Sequence, residues 1–95
     1  MIIVHDIFVC KPGNASKLAK LCKEHMSSQK DFVNVMTDMT GQFNRVIIVT
    51  QHESLTAYEK SWDSMSEEEM KKMQEAMKGY TDMYLTGSRE IYKVW

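Results

Sequence analysis

The chain has 95 residues, 43% hydrophobic and 26% charged, with 4 Gly and 1 Pro, a composition that excludes a disordered or collagen-like protein and fits a single globular domain spanning 1–95. A net charge of -1, with no basic run longer than Lys71-Lys72, leaves no electrostatic footprint for nucleic acid or an anionic membrane surface. Cys10 and Cys22 are too few for a secreted disulfide framework and too far apart for a CxxC site, so buried thiols in a reducing cytoplasm are expected. The apolar start is interrupted by His5 and Asp6 and lacks the flanks of a secretion signal, and no apolar stretch reaches the roughly 18 residues of a membrane span.

The first segment, Ile2 to Cys10, reads as a strand with Ile2, Val4, Phe8 and Cys10 on one face and Ile3, Ile7 and Val9 on the other. Lys11-Pro12-Gly13-Asn14 ends it, with Asn14 suited to cap a helix. Ala15, Leu18, Leu21, Cys22, His25 and Met26 then recur at helical spacing, and Phe32 to Thr37 reads as a second strand. Thr40 to Asn44 is a turn-like link to a third strand that starts near Arg45 and contains Val46-Ile47-Ile48-Val49, apolar on both faces. Ser54 can cap a second helix with Leu55, Tyr58, Trp62 and Met65 on one stripe. Ser66 and Glu69 form a capping box for a third helical segment carrying Met70, Met73, Met77, Tyr80 and Tyr84. Thr86 to Arg89 leads to a final strand from Glu90 to Trp95, alternating enough to be half exposed.

Strand, helix, strand, strand, helix in two pieces, strand is the order of an α+β, ferredoxin-like βαββαβ fold, in which an antiparallel sheet carries its helices on one face. The first and third strands would be central. Both are apolar on each side, so the face without helices needs a second cover, and another copy of the same sheet would supply it. A homodimer is the expectation.

The first strand running into Lys11-Pro12-Gly13, the block Phe43-Asn44-Arg45-Val46-Ile47-Ile48-Val49 leading to Glu53-Ser54-Leu55-Thr56-Ala57-Tyr58, and Gly87-Ser88-Arg89-Glu90-Ile91-Tyr92 resemble the dimeric α+β barrel superfamily. That superfamily includes antibiotic-biosynthesis monooxygenases (the ABM group), haem-degrading monooxygenases and NIPSNAP-like proteins, and the last block is most similar to the NIPSNAP group. The resemblance implies two subunits that press their sheets together and a cavity in each between sheet and helices. The haem-degrading members use an Asn on the first strand, a Trp on the second helix and a later His. Here Asp6 stands in place of the Asn, Trp62 lies next to the Trp position, and no His occurs from Ser66 to Trp95, so the imidazole iron ligand is missing.

Asp6, alone among apolar strand neighbours, is the first candidate for chemistry. Facing the helices with Val4 and Phe8, it would be a desolvated carboxylate suited to proton transfer or to hydrogen-bonding a ligand, unless a Lys, Arg or Tyr pairs with it. Antiparallel pairing brings His5 and His52 to one end of the sheet, and whether they share a face depends on the register. Asp6 and His52 are therefore the candidate catalytic or anchoring groups. Phe8, Tyr58, Trp62, Met70, Met73 and Met77 are candidate walls of an apolar ligand cavity; on an apolar helix stripe the aromatic rings of Tyr58 and Trp62 and the methionines read first as ordinary core residues and second as walls. The readings this supports are a protein that binds a fatty-acid-like or aromatic molecule, a cofactor-independent monooxygenase-like enzyme, or a structural dimerisation module. None of them calls for a cofactor or a metal.

Overall fold

The computed structural model describes every residue from Met1 to Trp95. In chain order it contains β1 (Ile2–Cys10), α1 (Ala15–Met26), β2 (Phe32–Thr37), β3 (Arg45–His52), α2 (Leu55–Asp63), α3 (Glu67–Ala76), a 3-10 turn (Tyr80–Asp82) and β4 (Tyr84–Lys93). The strands form one antiparallel sheet in the order β2-β3-β1-β4, so the two strands with apolar residues on both faces are the central ones. This is the ferredoxin-like arrangement.

Local chemistry starts the helices much as the sequence suggests. Ser54 Oγ accepts from the Ala57 N–H at 3.1 Å at the head of α2, and Ser66 Oγ accepts from the Glu69 N–H at 3.1 Å at the head of α3. Glu67, Glu68 and Glu69 then lie in the first turn, where the helix dipole favours negative charge. Asn14 behaves differently from its expected role. Its side-chain amide donates back to the Pro12 carbonyl at 3.5 Å, and α1 begins with no side-chain cap.

The end of the chain departs from the sequence reading. The third helix stops at Ala76, and Gly79, at φ 87°, takes the left-handed backbone that turns the chain out of it. Tyr84 consequently belongs to β4, which begins well before Glu90 and pairs with β1 from Ile2 beside Lys93 to Cys10 beside Tyr84, with a bulge near Leu85. The reason is physical: β4 is an edge strand, largely exposed, so backbone pairing holds it and no apolar alternation marks Thr86 to Arg89 as extended.

Register separates the two faces of the sheet. Val4, Asp6, Phe8 and Cys10 of β1 share a face with Val46, Ile48, Thr50 and His52 of β3. Leu18 and Cys22 of α1 close over Cys10, Val46 and Ile48 in a fully buried cluster, bordered by Phe8, Phe32, Val35, Met77 and Tyr84. The opposite face carries Ile3, Ile7 and Val9 together with Ile47 and Val49; Ile7 and Val49 are buried within the subunit, and Ile3, Val9 and Ile47 are half-buried. Burial pushes both thiols up, Cys22 to about 11, with the neighbouring Cys10 adding to the shift.

Candidate functional site

The same register that puts Asp6 beside Ile48 on one side puts it beside Arg89 of β4 on the other. Arg89 Nε donates to Asp6 Oδ1 at 2.5 Å. That hydrogen bond is the main reason the guanidinium is held above its ordinary value; partial burial works the other way, and the charges of Asp6 and the Tyr58 hydroxyl reinforce the rise. Asp6 is thus the paired carboxylate that the sequence left as one of two alternatives. Its side chain is 19% exposed and that of Arg89 is 49% exposed, so the ion pair reaches from the sheet floor into an opening.

α2 supplies the wall. Tyr58 and Trp62 are one turn apart on its sheet-facing stripe, and their rings meet edge to face at 6.3 Å. The Arg89 Cζ lies 5.7 Å from the Tyr58 ring centre and 5.8 Å from that of Trp62, within cation–π range of both. Tyr58 also meets the His52 imidazole edge to face at 4.8 Å, while His52 Nε2 is 3.1 Å from Thr50 Oγ1 and Nδ1 is 3.7 Å from Asp31 Oδ2. The Tyr58 hydroxyl is buried and has no hydrogen-bond partner. Tyr58, Glu59, Trp62, Asp63 and Arg89 line an open hollow of about 390 Å³.

The other residues singled out from the sequence lie elsewhere. Phe8 packs edge to face on Tyr84 at 4.9 Å, and both border the core. Met77 joins that border, Met73 is half-buried and Met70 is exposed; Phe8, Met70, Met73 and Met77 are not among the residues lining the hollow. His5 and His52 fall on opposite faces, because Ile2 is the residue beside His52 while His5 sits beside Val49. His5 packs instead on Tyr92, whose hydroxyl donates to Glu90. No third side chain of metal-ligating type joins His52 and Asp31. Arg89 is the site residue that sequence reading passed over. Its signal was faint: it alternates with Gly87 and Ile91, as a strand residue facing the helices must.

A second hollow, of about 240 Å³, lies between the start of α1 and the β2–β3 link and is lined by Ala15, Ser16 and residues 37–44. Its base is clamped by Asp38, whose carboxylate accepts from the backbone N–H and the Nε of Arg45, each at 3.1 Å. Burial pushes the Asp38 carboxyl up, and the bonds to Arg45 more than offset this, leaving it below its ordinary value.

No family model and no curated protein matches the sequence. Solved structures match closely in shape. A NIPSNAP family protein from Agrobacterium tumefaciens superimposes with a TM-score of 0.79 at 14% identity, over 97% of this chain and 90% of that one. The fold is that of the NIPSNAP proteins. An uncharacterized NIPSNAP-domain protein from Burkholderia xenovorans gives 0.78 at 7% identity, covering 100% of this chain and 95% of that one. A candidate antibiotic-biosynthesis monooxygenase from Deinococcus radiodurans gives 0.61 at 13% identity, over 100% and 93% of the two chains. At such identities the shared fold carries over and the chemistry of each site does not.

Proposed function

We propose that the protein is a homodimer in which the hollow beside Arg89 binds a small, flat, largely apolar molecule. The observation that carries binding is a guanidinium set against two aromatic rings at the floor of an open hollow, with Asp6 fixing its direction. Rings of Tyr and Trp offer apolar area at little cost in side-chain entropy, and the Arg supplies orientation. A flat aromatic ligand suits this better than a fatty-acid-like chain, because the methionine stripe lies outside the lining.

The assembly rests on the bare sheet face. The molecule is a slab of 36 × 35 × 20 Å, wide enough for a standard interface of about 800 Å² per partner. The half-exposed Ile3, Val9 and Ile47 would give that interface an apolar centre over the buried Ile7 and Val49, and a second copy offers the same stripe in return. Free, buried Cys10 and Cys22 fit a reducing cytoplasm.

Native mass spectrometry of the purified protein tests both parts: a dimer that retains a small aromatic molecule, released on Arg89→Met and Trp62→Ala substitution, is the expected result. A monomer with no retained or added aromatic ligand would contradict the reading. A cofactor-independent oxygenase is a second reading, favoured by the fold shared with the candidate monooxygenase and by Asp6, which pairs with the Arg89 that lines the hollow. It requires Asp6 or His52 to accept a substrate proton. Oxygen uptake with 1,4-dihydroxynaphthalene, lost in Asp6→Ala, would establish it, and uptake no faster than the uncatalysed rate would remove it.

A further inference from the structure

The polar groups around the hollow have a direction that the apolar reading leaves unused. Two groups at the hollow can donate, Arg89 from the sheet and Tyr58 from α2. The Arg89 guanidinium carries more N–H groups than the one Asp6 takes, and the Tyr58 hydroxyl is buried without a partner. On the α2 side stand acceptors, the carboxylates of Glu59 and Asp63, neither of them in an ion pair. The rings of Tyr58 and Trp62 lie on the same helix as those carboxylates, one position away in sequence from each.

Charge narrows the class of ligand. Asp6 already matches Arg89, and Glu59 and Asp63 make the lining negative, so an anionic ligand gains from the guanidinium and loses to the rim. A simple cation would meet Arg89 where it already occupies the faces of both rings. We infer that the hollow recognises a neutral planar ring bearing both an oxygen acceptor and an N–H donor, of the aromatic carboxamide type. Its carbonyl would accept from Arg89, its N–H would donate to Glu59 or Asp63, and its ring would lie against the surface of Trp62 that Arg89 leaves exposed. A site with donors and acceptors placed this way favours a ligand that pairs with both, and because Glu59, Asp63 and Arg89 are exposed to water the preference is a modest one.

This inference rests on the hollow being a binding site, and the test separates the two. Benzamide, acetophenone and benzoate share one ring and differ in the edge they present; each is titrated into the protein while the Trp62 indole N–H resonance is followed, with Trp95→Phe removing the other indole. Benzamide is expected to bind at least threefold more tightly than acetophenone, which lacks the donor, and about tenfold more tightly than benzoate. Arg89→Met should weaken benzamide about tenfold, and the double substitution Glu59→Gln, Asp63→Asn should improve benzoate relative to benzamide. Equal binding of all three probes at Trp62 would overturn the polarity argument while leaving the hollow as a binding site. Benzoate binding most tightly would overturn it as well. If no probe moves the Trp62 resonance, both readings fall together.

Discussion

Ile47 and Ile48 are neighbours in β3 and live in opposite surroundings. Ile48 is sealed under Leu18 and Cys22, whereas Ile47, on the opposite face of the sheet beside Ile7, is half-exposed. The difference teaches that one strand serves two ends: its even positions from Val46 to His52 are sealed within the subunit, whereas Ile47 on the other face stays half-exposed until something else covers it. A strand buried on both faces reads as a continuous apolar run, and Val46 to Val49 is such a run.

The sharpest way to break this comparison is to place the same charge at both positions. Ile48→Glu puts an unpaired carboxylate into the closed cluster and should cost about 4 kcal/mol or more, leaving little folded protein by circular dichroism. Ile47→Glu should leave the subunit folded, with an unfolding free energy in urea within about 1 kcal/mol of the isolated wild-type subunit. Equal losses would mean that the two faces do not divide the work.

Next in size is a pH effect confined to the closed face. The Cys22 thiol is held neutral up to about 11 when folded and ionises from its ordinary 9.0 when exposed. The group's folded value is therefore the higher one, so its stabilisation is intact below pH 9 and is lost as pH rises toward 11, about 3 kcal/mol in all. Urea titrations across that window should show the decline, and Cys22→Ala, less stable at neutral pH, should show a shallower one. An unchanged slope in the variant would sink the assignment.

The smallest effect belongs to the hollow. A buried Trp replaced by Ala ordinarily costs about 3–5 kcal/mol. Trp62 is 52% exposed and α2 has no buried residue, so Trp62→Ala should cost no more than about 1 kcal/mol while removing ligand binding. A loss comparable to that of a core residue would make Trp62 part of the scaffold and not the wall of a site.

What was legible in the sequence follows the same division. Where burial enforces a pattern, as in β1, β3 and α1, element and facing could be read from spacing. Serine chemistry marked the starts of α2 and α3 for an equally local reason. β4 gave no such signal before Glu90, because an exposed edge strand answers to its partner's backbone, and Arg89 was lost with it. Asp6 stood out as a lone charge in an apolar strand, yet its partner is distant along the chain and only the β1–β4 register brings the two together. The methionines of α3 have helical spacing, and spacing alone does not say whether a thioether meets a core, a ligand or water.

Sedimentation equilibrium of the wild-type chain and of Ile47→Glu at micromolar concentration tests the central claim most directly. A wild-type mass of twice the 11.1 kDa chain, falling to a folded monomer in the variant, is the predicted result. A folded wild-type monomer across that range would contradict it.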